Sequence, residues 1–472
     1  MRPLPLSRIA GWTGGRLVGA DVAVGAVSID TRTLQARDDA TGDALGVLFV
    51  ALKGERFDGH DHAAAAVAAG ARALLVSRPL PLDAPQLVVA DTERALGDFA
   101  GALQRSRGTR VAAVTGSNGK TSVKAMLLPI LQRMAAAEGR EAYANPGNRN
   151  NEIGLPLAVI EAPEDAAYAV YEMGAGKPGD IAYLTAIARP DAALVNNIAP
   201  AHLERMGSLL GVADTKAAIY DALPPDGVAV INADDAFAPY FAERAHGRRL
   251  LRFGLEASAD VAARGIAAGA DGSRFVLETP AGDIDVSIAL PGRHNVRNAL
   301  AAASLALGLG ASREAIRDGL AEARAVAGRL VRHALRGGAT LVDDSYNANP
   351  GSLNAAIELL AAGGRPGWLV LGDMRELGED ARALHAEAGR RAKAAGIARL
   401  YALGPLSAAT VEAFGAGARH FDGHEALAKA LTTDLAGIAA GAAPVVLVKG
   451  SRGSAMDKIV KALLEGEAAD AA

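Results

Sequence analysis

Cysteine is absent from the chain. That removes disulfides, a thiol nucleophile and any cysteine-bound zinc site from consideration. Aromatic residues are scarce, at 4%, so cores must be built from small and aliphatic side chains, which suits helices laid on sheets. Basic charge is not concentrated anywhere. The 49 Lys and Arg are interspersed with 53 Asp and Glu for a net charge of −4, which leaves no basic face for nucleic acid. Long apolar runs are missing too. The most apolar late stretch, 435–448, is too short for a membrane span and contains Gly and Pro. Met1-Arg2-Pro3-Leu4-Pro5 has no apolar signal core. These absences, with no long apolar face left over for a partner, point to a cytoplasmic monomer. At 472 residues the chain has room for about three domains.

What is present is organised around one stretch, in which Val111-Ala112-Ala113-Val114 leads into Thr115-Gly116-Ser117-Asn118-Gly119-Lys120-Thr121. It reads as a strand, a tight Gly-bounded loop and a helix over about 123–134. Polyphosphates need that order. The glycines let backbone N–H groups curl inward and the helix N-terminus adds partial positive charge. Lys120 can reach the outer phosphates, and the Thr121 hydroxyl can hold Mg²⁺. The loop is shorter than the standard phosphate loop, with Val114 where the longer motif has its first Gly.

The remainder reads as three α/β units, 1–105, 106–325 and 326–472. In the first, strands near 27–30, 47–52, 71–76 and 86–90 alternate with an Ala-rich helix at 63–69 and a helix at 92–107. Arg32 and Lys53 lie at strand ends, where such modules bind ligands; the residue chemistry by itself favours two solvated charges there.

In the second unit, the Asn- and Gly-rich run from Asn145 through Asn150 and Asn151 to Gly154 cannot be a regular element. It suits either recognition of sugar and peptide amides or an Asx-turn loop. Tyr168 to Glu172 is a strand with a carboxylate at its C-terminal end, placed to complete the Mg²⁺ shell begun by Thr121. A further strand ends in Asn196-Asn197, with His202 just beyond. Ser208 caps a helix to about 223 that carries Lys216 in its middle, where a lysine is normally exposed. The stretch 250–290 reads as a small antiparallel insert. His294 and Asn295 precede an Ala/Leu helix at 299–307, either to meet a nucleobase or to cap it. The third unit begins at Gly328-Arg329-Leu330. Its strands run into Asp343-Asp344-Ser345-Tyr346-Asn347-Ala348-Asn349 and into turns at 372–378 and 449–453, a second doubly wound domain.

Taken together these blocks resemble the Mur ligase family of peptidoglycan synthesis over essentially the whole length. The resemblance rests on the short phosphate loop 115–121, on Phe49 to His60, Asn148 to Pro156, Asp343 to Pro350 and Leu371 to Gly378. One departure is Arg149, where an apolar residue is expected. The resemblance implies a UDP-substrate domain, a central ATP-binding domain and a Rossmann-like C-terminal domain. It also implies an ATP-dependent amide ligase joining D-alanyl-D-alanine to UDP-N-acetylmuramoyl-tripeptide through an acyl phosphate. Asp30, Thr31 and Arg32 would lie in the uridine-diphosphate site. Lys216 matches a lysine carried as a carbamate, which with Glu172 and His202 would hold the second of two Mg²⁺ ions. Asn295 would face adenine, and Arg329 and Asp344 would reach ATP. Asn150 and Asn151 would meet the substrate, while Asn347 and Asn349 would help seat the dipeptide. Closure of the third domain about a hinge at 325–330 would complete the site.

Overall fold

The computed structural model describes residues 1–34, 46–200, 203–269, 271–439 and 442–469. It has a three-domain α/β architecture built on three main sheets, of five, six and six strands. In the central sheet six strands run parallel, in the order Arg249–Phe253, Val228–Asn232, Ala192–Val195, Arg110–Thr115, Tyr168–Glu172, Ala142–Ala144. The runs of Val, Ala, Ile and Leu in the four inner strands are buried on both faces, as a parallel sheet covered by helices requires. The order places Arg110–Thr115 between two neighbours. Glu172 is in register with Val114, and Val195 with Thr115. Thr115, Glu172 and Asn196 therefore finish at one sheet edge, the crevice end of an open α/β sheet.

The first sheet has five strands in the order Arg16–Val18, Gln86–Val88, Ala71–Val76, Val47–Val50, Ala26–Ser28. Arg16–Val18 is antiparallel and the others are parallel. Helix Thr92–Arg105 follows, capped by Asp91, whose side chain accepts from the amides of Glu93 and Arg94. Its buried stripe of Leu96, Phe99 and Leu103 joins Leu6 and Ile9 on one side to Leu155, Tyr171 and Leu184 of the central layer on the other, in a single apolar cluster. The Phe99 ring stacks on Trp12 with centroids 6.0 Å apart.

The third sheet runs Val331–Ala334, Thr340–Asp344, Val445–Lys449, Gly367–Gly372, Arg399–Leu403, Ala418–Phe421. Val331–Ala334 is an antiparallel edge strand that the sequence pattern does not announce. The connector ahead of it has Gly328 at φ 72° and, unusually for a leucine, Leu330 at φ 58°. Among the described residues, the core of this domain draws on residues from 330 onward.

Two expectations shift. The antiparallel insert consists of Ala262–Gly269, Gly272–Glu278 and Ile284–Ile288, while Arg249–Phe253 joins the main sheet. The helix expected from 299 is Arg293–Gly308, so His294 and Asn295 lie in its first turn and Gly292 is its cap. Among the described residues no helix is long and apolar enough to cross a membrane.

Candidate active site

Strand Arg110–Thr115 ends at Gly116, and helix Lys120–Ala137 begins at Lys120. Gly116 and Gly119 take φ values of 143° and 79°. At Gly119 a Cβ would stand 2.5 Å from Asn196 Nδ2 and 2.6 Å from Asn298 Oδ1, so only glycine fits. The loop is fixed from beneath by the neighbouring strand end. The Ser117 amide donates to the Asn197 carbonyl at 2.9 Å, and the Asn118 amide to Asn197 Oδ1 at 2.9 Å. Both amides are thus engaged inside the protein rather than turned toward a phosphate. The amides of the helix's first turn lack intrahelical partners and are the ones suited to an anion. Lys120 arches over the loop, its Nζ 2.7 Å from the Gly116 carbonyl. Burial lowers its pKa; Glu172 opposes this and Arg329 adds to it.

Glu172 is almost wholly buried, at 2% exposure. The Thr121 hydroxyl donates to its Oε2 at 2.9 Å, and Asn150 Nδ2 donates to its Oε1 at 2.9 Å. Burial would raise its pKa, but Lys120, Lys124 and Arg329, with the Thr121 hydroxyl, bring it below the ordinary value, so the carboxylate stays charged. Lys124, not foreseen from the sequence, lies one helical turn after Lys120, the i,i+4 spacing that puts both on one face. Its Nζ is 3.4 Å from Glu172 Oε2 and donates to the carbonyls of Asn145 and Gly147 at 2.8 and 3.0 Å. It thereby ties the phosphate-loop helix to the turn that delivers Asn150.

Lys216 is 1% exposed, and its amine has no hydrogen-bond or ion-pair partner among the described residues. Its pKa is pushed down to about 7, by burial first and Lys120 next, with Asp180 opposing. A mid-helix lysine would ordinarily point to water; this one lines the cavity that Glu172 lines. His202 lies outside the described residues.

The third domain closes the other side. Arg329 Cζ lies 4.4 Å from the centre of the Tyr346 ring. Lys449 donates to Asp344 Oδ2 at 2.5 Å and to the Asn347 carbonyl at 2.9 Å. Burial raises the Asp344 pKa against the pull of Lys449 and Arg329. The cavity so formed has a volume of about 640 Å³. It is lined by Ser117, Asn118, Gly119, Lys120, Asn150, Asn151, Glu172, Lys216, Asn295, Arg329, Asp344, Asn347 and Asn349.

Several expected ligand contacts are occupied within the fold. Asn295 Nδ2 donates to the Pro291 carbonyl at 2.8 Å, and its Oδ1 accepts from Asn298 at 3.3 Å. Asn151 Oδ1 caps the Gly154 amide at 2.8 Å. Asn347 Oδ1 accepts from the amide of Ala348, and Asn349 caps helix Pro350–Ala361. Asp30, Thr31 and Arg32 are not part of this cavity. They follow strand Ala26–Ser28 on the first sheet, where Arg32 pairs with Asp30 at 2.6 Å in the open. Among the described residues no three His, Asp or Glu side chains converge as a metal site. The oxygen donors Thr121 and Glu172, 2.9 Å apart, nevertheless fit a hard cation, and Lys216 lines the same cavity as Glu172.

Comparison with known proteins agrees along the chain. Residues 114–306 match the Mur ligase middle domain, 328–452 the Mur ligase glutamate ligase domain, and 39–103 the Mur ligase family catalytic domain. The UDP-N-acetylmuramoyl-tripeptide–D-alanyl-D-alanine ligase of Escherichia coli K12 is 45% identical over 468 residues, 98% of this chain and 99% of that protein. The Bacillus subtilis ligase of the same name is 34% identical, with 93% of each chain covered. Among solved structures, MurF from Acinetobacter baumannii superposes with a TM-score of 0.91 at 32% identity, covering 98% and 99% of the two chains. The MurF ligase of Thermotoga maritima in complex with ADP gives 0.81 at 28% identity, over 95% and 98%.

Proposed function

The chain belongs to the Mur ligase family, and from that premise we propose that it is an ATP-dependent amide ligase. In this reading it joins D-alanyl-D-alanine to UDP-N-acetylmuramoyl-tripeptide in peptidoglycan precursor synthesis, as a monomer in the cytoplasm. The observation that carries the reading is the convergence of Lys120, Glu172 and Lys216 with Arg329 and Asp344 on one cavity between two domains. Residues 1–105 would bind the UDP end of the substrate through Asp30, Thr31 and Arg32, residues 106–325 would bind ATP, and residues 326–472 would bring the dipeptide.

Making an amide from a carboxylate is uphill in water, so the carboxylate must first be activated. The tripeptide's terminal carboxylate attacks the γ-phosphorus, the bond to ADP breaks, and an acyl phosphate forms. The dipeptide amine then attacks the acyl carbon, phosphate leaves, and the amine sheds a proton. Lys120 and Arg329 offset charge on the transferring group from opposite walls, and the walls themselves keep out the water that would hydrolyse the acyl phosphate. Thr121, Glu172, His202 and Lys216 would hold two Mg²⁺ ions, which supply Lewis-acid stabilisation of the phosphoryl oxygens when bound. An amine whose pKa is lowered to about 7 has a substantial neutral fraction near neutral pH. It can therefore attack CO₂ and release a proton to become a carbamate, an oxygen donor in place of a cation.

The test is phosphate release with UDP-N-acetylmuramoyl-tripeptide and ATP, with and without D-alanyl-D-alanine. Sustained turnover should require the dipeptide; turnover with a different amino acid and none with the dipeptide would refute the substrate assignment. Lys120→Ala should lower kcat/KM at least about 10²-fold while leaving the fold intact, and full retained activity would refute the phosphate role.

A further inference from the structure

Asn349 is 6% exposed, and both ends of its amide are committed. Oδ1 accepts from the Ser352 amide at 2.9 Å, capping helix Pro350–Ala361. Nδ2 donates across the domain seam to Asn118 Oδ1 at 2.7 Å. Asn118 is the middle of the phosphate loop. Its own peptide is already held by the central domain: its amide donates to Asn197, and its carbonyl accepts from Asn196 Nδ2 at 2.9 Å and Asn197 Nδ2 at 3.1 Å. The loop is thus gripped from below by Asn196 and Asn197 and from above by a residue of the third domain. Gly351 permits that approach. A Cβ there would stand 3.3 Å from Asn118 Nδ2 and 3.4 Å from Ala199 Cβ.

We propose that Asn349 is a positioning residue through which the third domain sets the phosphate loop, so that nucleotide binding and docking of that domain favour each other. With one N–H and one lone pair already used to hold it in place, Asn349 is assigned a positioning role here in place of a direct dipeptide contact. The two events share Asn118, so whatever fixes its side chain lowers the ordering cost of the other. The inference rests on the reading of 115–121 as the ATP site.

The variant that isolates the contact is Asn349→Ser. Serine caps a helix as well as asparagine does, but it is too short to reach Asn118. With the helix intact, Tm should hold. KM for ATP should rise about 2- to 10-fold, the worth of one net hydrogen bond, while KM for D-alanyl-D-alanine stays put. Small-angle scattering of the ADP-bound protein should show a larger radius of gyration than wild type. Gly351→Ala should move the same quantities in the same direction by crowding Asn118. An unchanged ATP KM together with unchanged scattering would overturn the proposal. A raised dipeptide KM with normal ATP binding would also overturn it, by making Asn349 a substrate contact. The premise is checked apart from this: if Lys120→Ala binds ATP as wild type does, the loop is not the ATP site and that reading fails first.

Discussion

The molecule has two domain seams of opposite character. The first sheet and the central sheet share one apolar cluster, threaded by helix Thr92–Arg105, in which Leu6, Phe99, Tyr171 and Leu184 belong to a single core. Among the described residues the central sheet and the third domain share no such cluster. Between them lie a 640 Å³ cavity, the Asn118–Asn349 hydrogen bond and charged side chains. An apolar seam of this extent opens at the cost of a core, whereas a polar seam exchanges its contacts for water at little net cost. The contrast is what the proposed closure needs: a first domain anchored through a shared core, and a third domain held by contacts that exchange readily with water.

Truncating the apolar seam should have the largest effect. Phe99→Ala removes a fully buried ring from that shared cluster and should cost about 3–5 kcal/mol. The first and central domains should still lose structure in one transition by calorimetry and hydrogen exchange; separate melting of the first domain would break the comparison. Next is Lys124→Met, which leaves buried Glu172 without its nearest cation and frees the turn at 145–147. Misplacing the reacting groups in this way should lower kcat by about 10- to 100-fold, and steady-state kinetics with the fold checked by circular dichroism would show it.

The polar seam should also be the acid-sensitive one. His294 has Lys449 across it and Arg297 on its own helix, and burial first, then those two cations, push its pKa down from 6.5 to about 4. A depressed pKa means that the unfolded or undocked chain takes up the proton first as pH falls. The stability contributed by neutral His294 is therefore complete above about 6.5 and is lost as pH falls toward 4. Scattering between pH 7 and 4.5 should show the third domain loosening in wild type and less so in His294→Gln; identical profiles would count against it. Smallest of all is Arg32→Ala on the first domain. Its exposed pair with Asp30 contributes little to stability, so Tm should hold while KM for the UDP substrate rises. An unchanged KM would remove Arg32 from the substrate site.

Much of this site was legible in sequence because parallel sheets deliver their C-terminal ends to one crevice. Strand signals at 110–115, 168–172 and 192–195 were enough to bring Lys120, Glu172 and Asn196 to one end of the central sheet; Asp344, on the separate third sheet, followed only from the family resemblance. The asparagines were harder. Asn151, Asn295 and Asn349 have the side chain that would hold a ligand, and the same side chain caps helices and bonds carbonyls, as it does here. No local pattern separates those uses, since the deciding partner can lie 231 residues away, as it does for Asn349 and Asn118. Lys124 was missed although its spacing from Lys120 was readable. Its partners at Asn145 and Gly147 come from a turn whose position only the folded sheet sets.

The connector ahead of the third sheet runs from the end of helix Arg313–Glu322 to the edge strand that begins at Val331, which leaves residues 323–330, with Gly328 and Leu330 at positive φ, to bend. A tether that brief keeps the departed domain at a local concentration in the millimolar range. Re-docking is then a first-order search over a narrow arc, and each turnover can release product without losing the partner it needs for the next.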